Sequence, residues 1–261
     1  LKIPVESITA KGTFGDGEVP VHIFRPRAQN PGSPLVVLLH GVHGCAGPEP
    51  GNKYGELARM LSSAGITCAV TETSRTRRDR ETFGTDREGW ARAAFTGKTF
   101  LEDHADAIAG TEAAAAAVGT NNIWVFGFSL GGIHTVLASG EKGGFSFKPS
   151  GIALGGVGSI INPEASSSLS LPILETVPPE KTLIEAAARL RTGKVVSFYG
   201  SLDATFPEDS CRRLVEAVPL PCERKRFIVM EGVDHAFRSI RGIPSIKPLE
   251  MISRVMALSV F

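Results

Sequence analysis

Apolar and polar positions alternate or cluster along this chain in a regular succession. SITAKGTFGDGEVPVHIFRP (7–26) holds two alternating runs around Gly-Asp-Gly, the pattern of a β-hairpin. PLVVLLHG (34–41) is a nearly continuous apolar run, as expected of a strand buried on both faces. NKYGELARMLSSAG (52–65) has helical spacing and stops at Gly65, and ITCAVTET (66–73) reads as the next strand. Residues 74–97 are charged and irregular. An alanine-rich helix is predicted over 98–119, and a strand over NIWVF (122–126). A helix then runs to about Ser139, with strands at GIALGG (151–156) and KVVSFYG (194–200). PEDSCRRLVEAV (207–218) reads as a helix with Pro207 at its start, ERKRFIVM (223–230) as a strand, and 245–261 as largely helical. Strands alternating with helices predict one α/β domain over 1–261, with helices on both faces of a mostly parallel sheet and an antiparallel hairpin at its N-terminal edge.

One spacing breaks the rhythm. From Ser129 to Tyr199 the alternation needs about 50 residues, and the chain uses about 70. The surplus lies at about 158–192, in a Pro/Ser-rich stretch followed by the short helix KTLIEAAARLRTG. It reads either as a surface excursion or as a small cap beside a site.

Bulk composition narrows the function classes. With 28 basic and 27 acidic residues, the net charge of +1 offers no basic face for nucleic acid. No apolar run approaches the roughly 18–20 residues of a membrane span, and the first residues do not read as a signal peptide. Cys45, Cys68, Cys211 and Cys222 form neither a C-x-x-C pair nor a zinc spacing, which favours a reducing, cytoplasmic setting. A Cys211–Cys222 bridge is the alternative for a chain exported after loss of a leader.

The chemistry centres on GFSLGG (127–132). G-x-S-x-G is weak evidence by itself in a chain with 29 glycines. Here it follows a buried strand and opens a helix, the context in which a strained turn presents a serine as nucleophile. Gly127 and Gly131 stand where side chains would collide across that turn. The helix start beyond Ser129 favours negative charge, so the Leu130 amide is a candidate oxyanion donor. A serine needs a base and an orienting acid. His235 follows a late strand at the C-terminal sheet edge, whereas His22, His104 and His134 lie on the hairpin or helices. Asp203 ends a strand at the same edge. Asp234 adjoins His235 too closely to reach its imidazole, and Glu208 and Asp209 fall in the first turn of a helix. The loop LLHGVHGCAG (38–47) could complete the oxyanion site with its amides. Its G-x-x-G-x-x-G spacing, with Pro48 and Pro50 delaying the helix, argues against dinucleotide binding. His40 and His43 lack a third ligand nearby, so no metal or organic cofactor is expected.

These residues, in the order Ser129, Asp203, His235, resemble the α/β-hydrolase superfamily from about Pro34 onward. GFSLGG, GSLDATFP and DHAF are most similar to its dienelactone-hydrolase-like group. The resemblance implies a Ser-Asp-His triad with oxyanion donors at Leu130 and Val42. Dienelactone hydrolase itself has a cysteine nucleophile and a glutamate in the oxyanion loop, where this chain has Ser129 and Gly41. Both departures favour a general carboxylesterase acting on a small-molecule ester through an acyl-enzyme. Lactone or amide hydrolysis, or a non-catalytic binding protein on this fold, are the alternatives. His43, Phe128, Trp90, Phe206, Arg78 and Arg238 are the candidate pocket residues. The arginines of TSRTRRDRE (73–81) could meet a substrate carboxylate, as in dienelactone hydrolase. Alternating charge instead suggests a water-facing loop, with Trp90 and Phe95 as an apolar wall for short neutral acyl groups.

Overall fold

The computed structural model describes residues 3–27, 32–162, 165, 171–239 and 246–261. In chain order the elements are β1 (Val5–Lys11), β2 (Glu18–Phe24), β3 (Leu35–Leu39), α1 (Lys53–Ser63), β4 (Thr67–Thr71), α2 (Arg87–Phe95), α3 (Phe100–Val118), β5 (Ile123–Phe128) and α4 (Leu130–Gly140). They continue as β6 (Gly151–Gly155), α5 (Pro172–Glu175), α6 (Glu180–Ala188), β7 (Val195–Leu202), α7 (Glu208–Glu216), β8 (Lys225–Asp234) and α8 (Ile246–Val260). The strands form one sheet in the order β1-β2-β4-β3-β5-β6-β7-β8. The pairings β1–β2 and β2–β4 are antiparallel, and all others are parallel.

The two-residue period of the strands sorts the core onto two faces. Val36, Leu38, Phe126, Ala153 and Val196 pack with Leu57 and Leu61 of α1 and with Ile252 and Met256 of α8. Val37, Leu39 and Val125 turn the other way, towards Ala107 and Ala114 of α3. Ile152, Leu154 and Val195 face α4, α6 and α7 on that same side. Burying a Leu- or Ile-sized side chain contributes about 1.5–3 kcal/mol, so these two layers dominate stability. The mostly parallel sheet with its N-terminal hairpin agrees with the apolar pattern.

Three regions differ from it. Residues 74–97 are not irregular throughout: a 3₁₀ turn covers Arg80–Phe83, and α2 follows with Trp90, Ala91, Ala94 and Phe95 buried. The Asp86 carboxylate caps α2 by accepting from the Gly89 amide. Interspersed Arg87, Glu88 and Arg92 obscure this two-turn apolar stripe in the sequence. The segment is not simply water-facing either, because Arg75 is only 3% exposed. The described part of 158–192 includes α5, and Leu171, Ile173, Leu183, Ala186 and Leu190 pack into the core on the α4 side. Residues 163, 164 and 166–170 of that stretch lie outside the described residues. Finally, β8 extends through Asp234, so His235 follows its last residue directly.

Candidate active site

Four loops leave the C-terminal ends of parallel strands β3, β5, β7 and β8 and meet there. Ser129 has φ +52° and ψ −120°, a conformation that a residue with a side chain rarely adopts. Such strain costs about 1–3 kcal/mol and must be held by its surroundings. Its amide donates to the Gly155 carbonyl at 2.9 Å. The flanking glycines are needed for space: a Cβ on Gly127 would lie 2.2 Å from the Gly131 oxygen, and one on Gly131 2.6 Å from the His40 oxygen. Gly132 is equally confined, with Val157 at 2.1 Å from a Cβ built there.

This turn brings Ser129 Oγ to 3.0 Å from His235 Nε2, and His235 Nδ1 lies 2.8 Å from Asp203 Oδ2. The Asp203 side chain is fully buried, and that of His235 is 25% exposed. The amides of Thr205 and Phe206 donate to Asp203 Oδ1 at 2.8 and 3.0 Å, which fixes the carboxylate after β7. Asp234 is committed elsewhere: Arg238 donates to it from its amide and its guanidinium, both at 2.9 Å. The turn is closed by the Phe237 amide donating to the Asp234 carbonyl, and Phe237 itself has φ +59°. Its buried ring meets Phe128 edge-on at 5.6 Å. Nothing in the sequence around Phe237 announced this second strained position.

Leu130 follows the serine directly, and Val42 follows Gly41, which packs against Ser129. A Cβ on Gly41 would come within 3.3 Å of Ser129 Cβ. Leu130 opens α4, where an amide has no partner within the helix. Among the described residues neither the Leu130 nor the Val42 amide donates a hydrogen bond.

The candidate pocket residues divide. Phe206 is buried with its ring centroid 5.7 Å from that of His235. Burial, then the charges of Arg87, His235, Arg80 and Lys53, push the His43 imidazole down to about 4, so it is neutral near pH 7. Burial and then Arg87 likewise push the Lys53 ammonium down to about 7. Phe128 is not a pocket wall: strand alternation sets it on the α1 face, stacked on Phe126 at 4.3 Å and edge-on to Tyr54. Phe95 and Trp90 are core residues, each 1% exposed, although Trp90 also borders a cavity of about 570 Å³. Arg78 is held by Asp16 at 2.7 Å, Glu72 at 2.9 Å and the Glu18 carbonyl at 2.8 Å, so it ties the hairpin to β4. Arg238 is taken up by Asp234.

Sequence reasoning missed a buried cluster beneath 74–97. Lys98 is fully buried, with Nζ 2.8 Å from each of Asp103 Oδ1, Asp106 Oδ2 and the Ser74 carbonyl. His134 Nε2 lies 2.8 Å from Asp103 Oδ2, and His134 meets His104 on its other nitrogen. Burial acts to raise the Asp103 carboxyl, but Lys98 and His134 outweigh it and hold it well below the carboxylate range. No group of three side chains suited to a metal ion occurs among the described residues. All four cysteines are free thiols, and no described helix is long and apolar enough to cross a membrane.

Neither any family model nor any curated protein matches this sequence. Solved structures do. The esterase domain of a Rhodothermus marinus protein matches with a TM-score of 0.61 at 16% identity, over 98% of this chain and 97% of that one. A Klebsiella pneumoniae protein assigned as a dienelactone hydrolase gives 0.62 at 17% identity, over 98% of each chain. A Pyrobaculum calidifontis esterase gives 0.66 at 17% identity, over 98% of this chain and 84% of that one. Identities this low speak to architecture. With such neighbours matching nearly end to end, the chain has the α/β-hydrolase fold, in the form seen in esterases and a dienelactone-hydrolase-like protein.

Proposed function

We propose that this protein is a serine hydrolase that cleaves carboxylic esters. The observation that carries the reading is the continuous Ser129–His235–Asp203 relay, at 3.0 and 2.8 Å, on a serine in a strained turn. In this reading His235 Nε2 takes the Ser129 proton as Oγ attacks the ester carbonyl. The Leu130 and Val42 amides stabilise the resulting oxyanion. His235 passes the proton to the leaving alcohol, and the acyl group stays on Oγ. Water then attacks this ester, giving its proton to His235, and the carboxylic acid leaves as Oγ regains a proton. Asp203 keeps Nδ1 protonated throughout.

Short neutral acyl groups are the proposed substrates. A cavity of about 210 Å³, lined by Ile133, Ile161, Leu174 and Leu183 and by no triad residue, borders α4, the helix that follows Ser129. Its size and apolar lining suit a short acyl chain. The engagement of Arg78 and Arg238 in ion pairs supports a neutral group. Lys53, Arg80 and Arg87 weigh against it, since all three act on His43. A matched neutral and anionic ester pair tests this. A tenfold preference in kcat/KM for the anion, about 1.4 kcal/mol, that disappears at high salt would overturn the neutral reading. The reaction class is tested by Ser129→Ala, which should fold and lose on the order of 10³–10⁶ in kcat. An organophosphonate should label one site per chain, and full labelling of the alanine variant would overturn the assignment of Ser129.

A further inference from the structure

The loop after β3 carries the Val42 amide, and its conformation depends on side chains remote from the triad. Val42 N–H shares a trans peptide plane with the Gly41 carbonyl, so the two point in opposite directions. That carbonyl is fixed by the Gly44 amide at 3.0 Å and by His40 Nδ1 at 2.7 Å. The Gly41 amide donates to the Tyr54 hydroxyl at 3.1 Å, and Asn52 Nδ2 donates to the Cys45 carbonyl at 2.8 Å. Two bonds come from the segment after β4: Trp90 Nε1 donates to the His43 carbonyl at 3.2 Å, and Arg75 Nη1 to the Gly44 carbonyl at 2.9 Å.

Both donors are rigid. Trp90 and Arg75 are 1% and 3% exposed. Arg75 is further fixed by donating from Nε to the Thr73 carbonyl at 3.0 Å and by a 3.1 Å ion pair with Glu72. Glu72 is itself tied to His22 and Arg78. The loop needs such ties. Gly44, Cys45 and Ala46 border a cavity of about 570 Å³ that Arg75 and Trp90 also line. Val42 and Cys45 pack against the core and Gly44 lies against the Phe95 ring, while the directed hydrogen bonds set how the peptide planes of the turn are oriented.

We propose that Arg75 and Trp90 are positioning residues, which hold the turn from Gly41 to Gly44 closed so that the Val42 amide stays aimed at the oxygen of the attacked carbonyl. The proposal rests on the serine-hydrolase reading above. Neither residue touches substrate in it; both act through the backbone of His43 and Gly44.

Trp90→Phe removes the N–H and retains an aromatic ring. Arg75→Lys keeps the charge beside Glu72 but loses the fork, and serves if the first variant does not fold. Activity is measured on p-nitrophenyl butyrate, per active site titrated with an organophosphonate. Binding of a trifluoromethyl ketone, whose tetrahedral adduct carries the oxyanion, is measured in parallel. Each variant should lose about tenfold or more in kcat with KM within about twofold, and the ketone should weaken by a similar factor. Lower thermal stability with unchanged kcat per titrated site and unchanged ketone affinity would overturn the positioning role. In that case an inactive Ser129→Ala protein would leave the hydrolase reading standing. A fully active Ser129→Ala protein would overturn both.

Discussion

Two aspartate–histidine pairs in this molecule have the same 2.8 Å separation, Asp203–His235 and Asp103–His134. They differ in what the second imidazole nitrogen meets. In the first pair it faces a serine on a strained turn, and the imidazole is 25% exposed. In the second it faces another histidine, both partners are 2% exposed, and a buried lysine neutralises the carboxylate. The aspartate–histidine unit is thus not a site by itself. In the serine-hydrolase reading, access for a reacting group and a neighbouring nucleophile make it one, whereas enclosure with a counter-charge makes it a brace.

The largest effect should separate the pairs most cleanly. Asp203→Asn should cost roughly 10⁴ in kcat by favouring the wrong imidazole tautomer, with little change in unfolding midpoint. Asp103→Asn should do the reverse, keeping kcat per titrated site and lowering the midpoint. Equal kinetic losses from the two would erase the distinction.

Lys98→Met comes next. It leaves Asp103 and Asp106 buried without their cation, a change that costs about 3–5 kcal/mol. Urea unfolding should show this as a lower midpoint at unchanged slope. A loss below about 1 kcal/mol would mean that water already reaches the cluster.

The pH dependence of stability provides a third measure. Burial lowers His40 and His43 to about 4 and His104 to about 3, against about 6.5 in an unfolded chain. Below pH 6.5 the unfolded chain binds protons that these folded imidazoles refuse, so stability is fully present above 6.5 and falls towards pH 4. Denaturation midpoints at pH 7, 5.5 and 4.5 should decline in that order, and His104→Gln should flatten the decline. A flat profile in the parent protein would contradict the enclosure of these rings. The smallest kinetic effect is expected from Asp234→Asn, which loosens only the Arg238 contact and should change kcat less than tenfold.

The difference between the two pairs also explains what could be read from the sequence. Ser129, Asp203 and His235 each follow a strand whose apolar run is visible, so their convergence follows from topology. Phe128 shows the limit of adjacency: it precedes the serine in sequence, but strand alternation turns its ring towards α1. The Lys98 cluster had no such marker. Its partners come from Ser74, on the preceding loop, and from two carboxylates on the alanine-rich helix α3. Likewise the role of Arg75 depends on a carbonyl 31 residues away in sequence, and periodicity carries no information about such contacts.

The turn at Ser129 has one more consequence. Glycine accepts φ +52° without the penalty that serine incurs, although it loses about 0.5–1 kcal/mol of that gain to the greater freedom of its unfolded chain. The net change at this position therefore runs towards a more stable protein and, in the serine-hydrolase reading, an inactive one. In the serine-hydrolase reading, a library sorted only for heat resistance would tend to discard the nucleophile, so thermostability and activity would have to be selected together.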